Sequence, residues 1–232
     1  MKRFAVFFLA CLMLICTTFA SAETAETNPI LFRDIAWGSS YTDAVKGLPD
    51  GVKMYNLDSD SSYTVEGTMT DDHNSYFDGH VVGYASARSS SLTDIKIAGY
   101  ELSGLSMRFA WITGEDGYIV EDSDHTALYY AEYEINPKDL NAAYDDLTTK
   151  LSSLYGEPAK TKESGSIIEK KYTIWYGAND TMLVLLSEKY SSGSTNIIIR
   201  YGTTQGNEWL QKAYDALVLK ETQEAASNVD GL

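Results

Sequence analysis

The sequence predicts an α+β fold, in which antiparallel sheet is packed by a few helices. Helical periodicity is clearest in residues 136–154, and strand periodicity is clearest in residues 94–135 and 167–201. Short turns rich in glycine, serine and asparagine separate neighbouring strands, which favours hairpins over parallel crossovers. Helices laid on antiparallel sheet form α+β proteins.

The first 22 residues have the pattern of a secretory signal peptide. Lys2 and Arg3 precede an apolar run over residues 4–19, and Ala20-Ser21-Ala22 provides an A-x-A cleavage site. We therefore expect an exported protein, in the cell envelope or outside the cell, that is cleaved near Ala22. No later apolar run is long enough to cross a bilayer, so no membrane insertion of the mature chain is expected.

Charge and cysteine content argue against several classes of function. The chain has 33 acidic residues against 18 lysines and arginines, a formal net charge of -15, and most of the excess acid lies before Lys138. Nucleic acid repels such a chain, so it is not an expected partner. Cys11 and Cys16 both lie in the predicted leader, which leaves the mature chain without a disulfide or a thiolate metal site.

The first half of the chain begins with an extended segment, a strand or a lead-in, over residues 30–37. Ser40 then predicts the N-cap of a short helix that ends near Leu48, with Asp43 as its capping-box partner. Strands are predicted at residues 63–65, 81–85, 95–102, 105–112 and 127–135.

Two of these strands, residues 95–102 and 105–112, form a predicted hairpin through Ser103-Gly104. In the strand at residues 127–135, Ala127, Tyr129, Ala131 and the alternate residues that follow them lie on one predicted core face. Glu132 and Glu134 indicate that the opposite face is solvated.

The helix at residues 136–154 has explicit start and stop signals. Asn136 is the predicted N-cap and Pro137 the first helical residue. Gly156 and Pro158 end the helix. The predicted buried stripe contains Leu140, Ala143, Tyr144, Leu147, Leu151 and Leu154.

The second half continues with a predicted three-stranded meander at residues 167–176, 181–190 and 195–201. Residues 182–186 are apolar throughout, as in a central strand buried on both faces. A last helix is predicted from residue 207 to about 220, followed by a frayed tail over residues 221–232. We therefore expect one domain over residues 23–220, with two similar helix-plus-sheet halves at residues 30–135 and 136–220.

Two short stretches resemble a group of uncharacterised exported bacterial proteins. Residues 32–40, F-R-D-I-A-W-G-S-S, match the F-x-x-I-x-W-G-S-S start of that group, although Ala36 stands where the group often has proline. Residues 151–158, L-S-S-L-Y-G-E-P, match its L-x-x-x-Y-G-x-P helix end. The repeated helix-then-sheet order is also similar to the beta-lactamase-inhibitor-protein and outer-membrane-assembly-lipoprotein type of fold. Neither resemblance implies a catalytic residue.

No catalytic or cofactor-binding residue is predicted. The sequence contains no G-x-S-x-G, G-x-G-x-x-G or phosphate-binding glycine loop, and His73, His80 and His125 lack compact metal-ligand spacing. An irregular structural calcium site is a weaker alternative. It would use Asp71-Asp72 with Asp78, or Glu121-Asp122 with Asp124.

The aromatic residues Tyr130 and Trp175 are the predicted partner-binding residues, because each shares its strand face with charged side chains. They would contact a protein or glycan partner. The alternative is that a helix or loop covers them. The predicted function is a secreted, non-enzymatic binding or interaction module. The alternatives are a carboxylate-based secreted hydrolase that uses acids in residues 54–87, and an inhibitor of a secreted enzyme.

Overall fold

The structure is a computed structural model that describes residues 28–54, 57, 81–88, 92, 94–165 and 167–227. Three predicted features lie outside these ranges: the leader, the strand at residues 63–65, and the candidate calcium ligands of residues 71–78. All six acids of residues 54–87, which the hydrolase alternative would use, also lie outside them.

A seven-stranded antiparallel sheet organises the fold, and three helices pack on it within the described residues. The helices are α1 Tyr41–Lys46, α2 Leu140–Tyr155 and α3 Gln205–Ser227. The strands are β1 Val82–Arg88, β2 Lys96–Ile97, β3 Tyr100–Glu101, β4 Gly104–Trp111, β5 Thr126–Ile135, β6 Lys160–Ser164, β7 Ile168–Gly177, β8 Thr181–Tyr190 and β9 Thr195–Thr203. The large sheet has the order β1-β4-β5-β9-β8-β7-β6, and β2 pairs only with β3. The predicted α+β class is confirmed.

The two halves of the chain meet edge to edge in this sheet. β1, β4 and β5 precede α2, whereas β6 to β9 form a meander after it. Antiparallel pairing of β5 with β9, with Tyr133 opposite Ile199, joins the two groups of strands. Helices on either side of this sheet therefore cover a continuous surface to which both halves contribute.

The face of the sheet under α2, here called the first face, carries the larger core. α2 buries Ala143, Tyr144, Leu147 and Leu151 against it. The segment before α1 closes the same core, since the Phe32 ring lies 5.0 Å from the ring of Tyr133 and 5.6 Å from that of Tyr201, measured between centroids. The predicted cap of α1 is confirmed, because the Ser40 hydroxyl accepts a hydrogen bond from the Asp43 amide.

The ends of α2 correct two predictions. Asp139, not Asn136, is the N-cap, and its carboxylate accepts a hydrogen bond from the Ala142 amide at 3.1 Å. Leu154 is 74% exposed rather than buried. Periodicity indicates the side of a helix on which a residue lies, but it does not indicate how far the sheet extends beneath that helix.

The opposite, or second, face is partly covered by α3, which packs on β4 and β5. This helix buries Gly206, Leu210, Ala213 and Ala216. It continues to Ser227, so the predicted end near Lys220 and the frayed tail are wrong for residues 221–227. Those residues include Glu221, Gln223 and Glu224, which favour helix without requiring burial.

The close approach of α3 to β5 makes Gly206→Ala a specific stability test. A Cβ at Gly206 would lie 2.5 Å from the Cβ of Tyr129. Alanine normally favours a helix over glycine, but here the helix would have to move away from the strand. We expect a loss of about 1–3 kcal/mol, the usual cost of overpacking a core. Urea unfolding measures it, with Glu221→Ala on the exposed end of α3 as a control, and a stabilised G206A protein would contradict the packing.

A bulge in β5 changes which residues share a face. Tyr129 is the extra residue against β4, so Leu128 packs with Ala131 on the first face while Tyr129 and Tyr130 both lie on the second. The predicted placement of Ala127 and Tyr129 with Ala131 is therefore wrong. Strict alternation fails wherever one residue is inserted into a strand.

The strand predictions are more accurate in the second half of the chain than in the first. The meander is confirmed, with β7, β8 and β9 within two residues of their predicted ends, and residues 182–186 are buried. The hairpin between residues 95–102 and 105–112 is wrong. The backbone reverses earlier, at Ala98 and Gly99, whose φ angles are 52° and 95°, and β4 pairs with β1 and β5 instead. β6 was not predicted because all of its residues are exposed and it has no apolar alternation.

Candidate functional site

Trp175, one of the two predicted partner-binding residues, is buried and only 1% exposed. It packs in the first-face core, and its indole Nε1 donates a hydrogen bond to the Gly156 carbonyl at 3.0 Å, just beyond the end of α2. Lys171 and Glu169 share its strand face, but they lie nearer the start of β7. The predicted exposure of Trp175 is therefore wrong, because α2 covers one end of the strand and not the other.

Tyr130 is also buried, at 4% exposure, on the second face. Its hydroxyl donates a hydrogen bond to Glu132 Oε2 at 2.5 Å, and the Arg108 guanidinium lies 4.6 Å from its ring centroid. Burial raises the pKa of the Tyr130 hydroxyl. The predicted solvent-exposed face of β5 is thus an internal polar layer, and Tyr130 is not presented to a partner.

This internal layer, here called the Glu132 cluster, consists of Ser106, Arg108, Tyr130, Glu132 and Arg200. Ser106 Oγ donates to Glu132 Oε1 at 3.0 Å, and Arg200 Nε donates to Glu132 Oε2 at 3.3 Å. Both carboxylate oxygens therefore have partners from neighbouring strands. The cluster satisfies the buried charge of Glu132 and links β4, β5 and β9. A catalytic base must be free to accept a proton from its substrate, but the Glu132 carboxylate is already engaged by these partners.

Two further carboxylates lie beside the cluster. Burial raises the pKa of Glu134, and the negative charges of Glu132 and Glu188 add to the effect. Burial also opposes ionisation of Glu188, but hydrogen bonds from Tyr190 and Lys170 outweigh it, so the pKa of Glu188 lies below its ordinary value. The shifts are opposite because burial and like charges dominate at Glu134, whereas hydrogen-bond donors together outweigh burial at Glu188.

A polar cleft of about 520 Å³ lies between the start of α2 and the strands β6 to β8. Its charged walls largely satisfy one another: Lys189 Nζ lies 3.1 Å from Glu169 Oε2, and Lys171 Nζ lies 4.8 Å from the ring centroid of Tyr144. The cleft offers charges of both signs, and its lining is more polar than apolar. It is a poor site for an anchor group, since burial of apolar surface supplies most binding energy.

A second cavity, here called the indole cavity, has a volume of about 270 Å³ and lies where α3 meets the end of β4. Two tryptophans are among its lining residues: Trp111, the last residue of β4, whose ring extends toward Gly83 of β1, and Trp209, in the first turns of α3. The lining residues are Gly38, Trp111, Ile112, Thr113, Ala127, Trp209, Lys212 and Ala213. Only Thr113 and Lys212 contribute polar side chains.

Small residues create the indole cavity. Ala127 of β5 and Ala213 of α3 both line the cavity, and their small side chains do not fill the space between α3 and the sheet. Gly38 has a φ of 86°, and a Cβ there would lie 3.3 Å from Trp209 Cη2, so the glycine allows the indole to lie against the backbone. Few polar groups in an apolar, partly enclosed space are typical of a binding site.

Beside the cavity lies the acidic hairpin, residues 112–125, between β4 and β5. Thr113 and Ile119 form a bridge across it, and the Gly114 amide donates to the Tyr118 carbonyl at 2.8 Å. The Tyr118 hydroxyl hydrogen-bonds Gln223 of α3. The hairpin is therefore attached to the helix that forms the cavity wall.

Asp122 is one of the predicted calcium ligands of this hairpin, and it organises the turn itself. Its Oδ1 accepts hydrogen bonds from the amides of Asp124 and His125, and its carboxylate lies 2.8 Å from His125 Nδ1. The hydrogen bond with the His125 ring lowers the pKa of Asp122. Within the described ranges, no three histidine, cysteine or carboxylate side chains are placed to hold a metal ion.

The sequence reasoning missed the indole cavity. Trp111 lies near the end of a predicted strand and is only 3% exposed, and no sequence pattern singles out Trp209. The two residues are far apart in the chain, so only the docking of α3 on β4 brings them together.

Among the described residues, no helix is long and apolar enough to cross a membrane. Compared with protein-family models, curated proteins and solved structures, the chain matches none. A functional interpretation therefore depends on the geometry of the indole cavity and its surroundings.

Proposed function

We propose that the protein is an exported, non-enzymatic binding module that takes an apolar group of its partner into the indole cavity. The observation that carries the proposal is the cavity itself, an apolar space lined by Trp111 and Trp209. Full burial of one leucine-sized or phenylalanine-sized side chain contributes about 1.5–3 kcal/mol. That is roughly a ten- to hundredfold gain in affinity for one anchor group.

The chemistry of the cavity favours a protein partner over a glycan. A sugar presents hydroxyl groups that need hydrogen-bond partners, and apart from the indole N–H groups only Thr113 and Lys212 offer polar side-chain atoms in the lining. An aliphatic or aromatic side chain has no hydrogen bonds to water that it would lose in such a space. Exposed Ile112, at 41%, extends the apolar surface beyond the mouth of the cavity.

The non-enzymatic character is part of the proposal. Glu132, the most buried carboxylate among the described residues of β5, is engaged by Ser106, Tyr130 and Arg200. A hydrolase would need acids that face a cleft, with at least one free to exchange a proton. Inhibition of a secreted enzyme would be one case of protein binding, and no feature of the cavity singles it out.

The test is a titration of the mature chain with p-cresol, followed by NMR of the tryptophan indole N–H signals. We expect saturable shifts of the Trp111 and Trp209 signals in the millimolar range, because p-cresol supplies an aromatic ring and one hydroxyl. Trp209→Ala removes one wall and is expected to weaken binding by about tenfold or more. N-acetylglucosamine, the glycan probe, is expected to leave these signals unchanged.

Leu219→Ala provides the matched control, since Leu219 is 48% exposed on the same helix and outside the cavity lining. It should bind p-cresol as the parent does. Equal binding by the parent and W209A, or sugar binding without cresol binding, would overturn the proposed function.

A further inference from the structure

The charge around the indole cavity restricts the kind of partner. Resting on the proposed function, we propose that the occupant is an apolar side chain on a protein segment in which lysine or arginine residues flank that side chain. The argument uses the acidic hairpin, the single lysine at the cavity and the order of the hairpin.

The acidic hairpin supplies negative charge next to the cavity wall. Thr113 lines the cavity and is followed directly by the hairpin tip, where Glu115 and Asp116 are exposed. Glu121 and Asp124 are exposed on the returning strand of the hairpin.

No lysine or arginine occurs in residues 109–137. From other elements, Lys46 of α1 interacts electrostatically with Asp124, and Lys220 of α3 lines a groove with Tyr118. The carboxylates near the hairpin tip, Glu115 and Asp116, therefore carry the argument.

Lys212 is the positive group in the cavity lining, and by itself it would favour an anionic ligand over a basic one. It lies on the exposed side of α3. One exposed ion pair contributes about 0–1 kcal/mol. The carboxylates of the hairpin act together, and the whole chain has a formal net charge of -15, so an anionic ligand meets net repulsion while a basic one is attracted. The charge balance therefore favours a basic segment.

The hairpin is ordered before any partner binds. The Thr113–Ile119 bridge, the hydrogen bonds to Asp122 and the Tyr118–Gln223 contact hold its shape. An ordered acidic surface binds without the entropy cost of arranging a loop, and it accelerates encounter with a basic partner at low salt. Burial of the apolar anchor side chain then slows dissociation of the complex.

The probes are three soluble peptides of equal length: a leucine flanked on both sides by Lys-Arg pairs, the same peptide with alanine for leucine, and a leucine flanked by Glu-Asp pairs. Binding to the mature chain is measured by NMR of the indole N–H signals and by fluorescence anisotropy, at low and high salt. We expect the basic leucine peptide to bind most tightly and to weaken with salt, and the other two to bind at least about tenfold more weakly.

Charge variants test whether the acidic hairpin causes the preference for the basic peptide. Glu115→Lys combined with Glu121→Lys should weaken the basic leucine peptide about tenfold at low salt. Glu101→Lys combined with Glu157→Lys changes the net charge equally at exposed positions outside the hairpin, and it should have a smaller effect. Lys212→Glu replaces the positive group of the cavity lining with a negative one and should tighten binding of the basic leucine peptide.

Three results would overturn this inference: tighter binding of the acidic peptide, equal binding of the alanine and leucine peptides, or loss of binding in Lys212→Glu. The p-cresol titration separates the two proposals. If p-cresol occupies the cavity and the basic peptide does not bind, the partner assignment fails while the proposed function stands. If p-cresol does not bind either, both fail.

Discussion

Replacing Trp175 with alanine is expected to destabilise the protein by about 3–5 kcal/mol, the usual cost of deleting a large buried aromatic side chain. Trp175 is 1% exposed and packs among the core residues under α2. Alanine would leave a cavity there and would also remove the donor to the Gly156 carbonyl. Guanidinium unfolding, followed by circular dichroism, measures the change.

Two further variants separate packing from hydrogen bonding at this position. Trp175→Phe keeps much of the apolar volume and loses the indole N–H, so a loss nearer 1–3 kcal/mol is expected. Tyr176, the next residue of β7, lies on the other face and is 51% exposed, so Tyr176→Ala serves as the control with a small effect. A W175A protein as stable as Y176A would show that Trp175 is not in the core.

Replacing Glu132 with alanine is expected to cost about 3 kcal/mol, because breaking a buried ionic network leaves its partners without their acceptor. Ser106 and Tyr130 would both lose the acceptor of a hydrogen bond, and Arg108 would lose a nearby negative charge. Glu132→Gln, which keeps one acceptor oxygen, replaces the other with an NH2 group and fills nearly the same volume, should cost less. Urea unfolding at neutral pH measures both variants.

Glu101→Ala is the control for this network, since the Glu101 side chain is 81% exposed and lies 3.7 Å from Lys96. It should change stability by less than about 1 kcal/mol. If E132A were no less stable than E101A, the Glu132 cluster would contribute nothing to folding.

Local signals predicted much of the second half of the chain. The meander from β7 to β9 was predictable because each strand has its own apolar pattern and each turn its own glycine, asparagine or serine. α2 was predictable for the same reason, although its cap moved from Asn136 to Asp139. Where the local pattern was weak or absent, as in the exposed strand β6, prediction failed.

The first half shows the limit of periodicity. The bulge at Tyr129 shifted the faces of β5, and the turn at Ala98-Gly99 divided an expected strand into the small β2–β3 pair. The bulge involves one residue and the turn two. They change every side-chain orientation that follows but leave almost no trace in an apolar-polar pattern.

The candidate site could not be predicted, since both proposed aromatic contacts depended on an open sheet face. Glutamates beside Tyr130 and charged residues beside Trp175 indicated solvent, but neither aromatic residue reaches it, and on the second face Ser106, Tyr130 and Arg200 satisfy the buried Glu132 carboxylate. A buried charge with its own partners has the same sequence pattern as an exposed one.

The sequence by itself determined the α+β class, the helices α1 and α2 and the meander of β7 to β9, because these depend on contacts between residues close in the chain. Only the tertiary structure decided which face each helix covers. That choice buried Tyr130 and Trp175 and placed Trp209 of α3 beside Trp111 of β4. The indole cavity exists because two rigid elements dock over small residues, and docking depends on surfaces assembled from the whole chain.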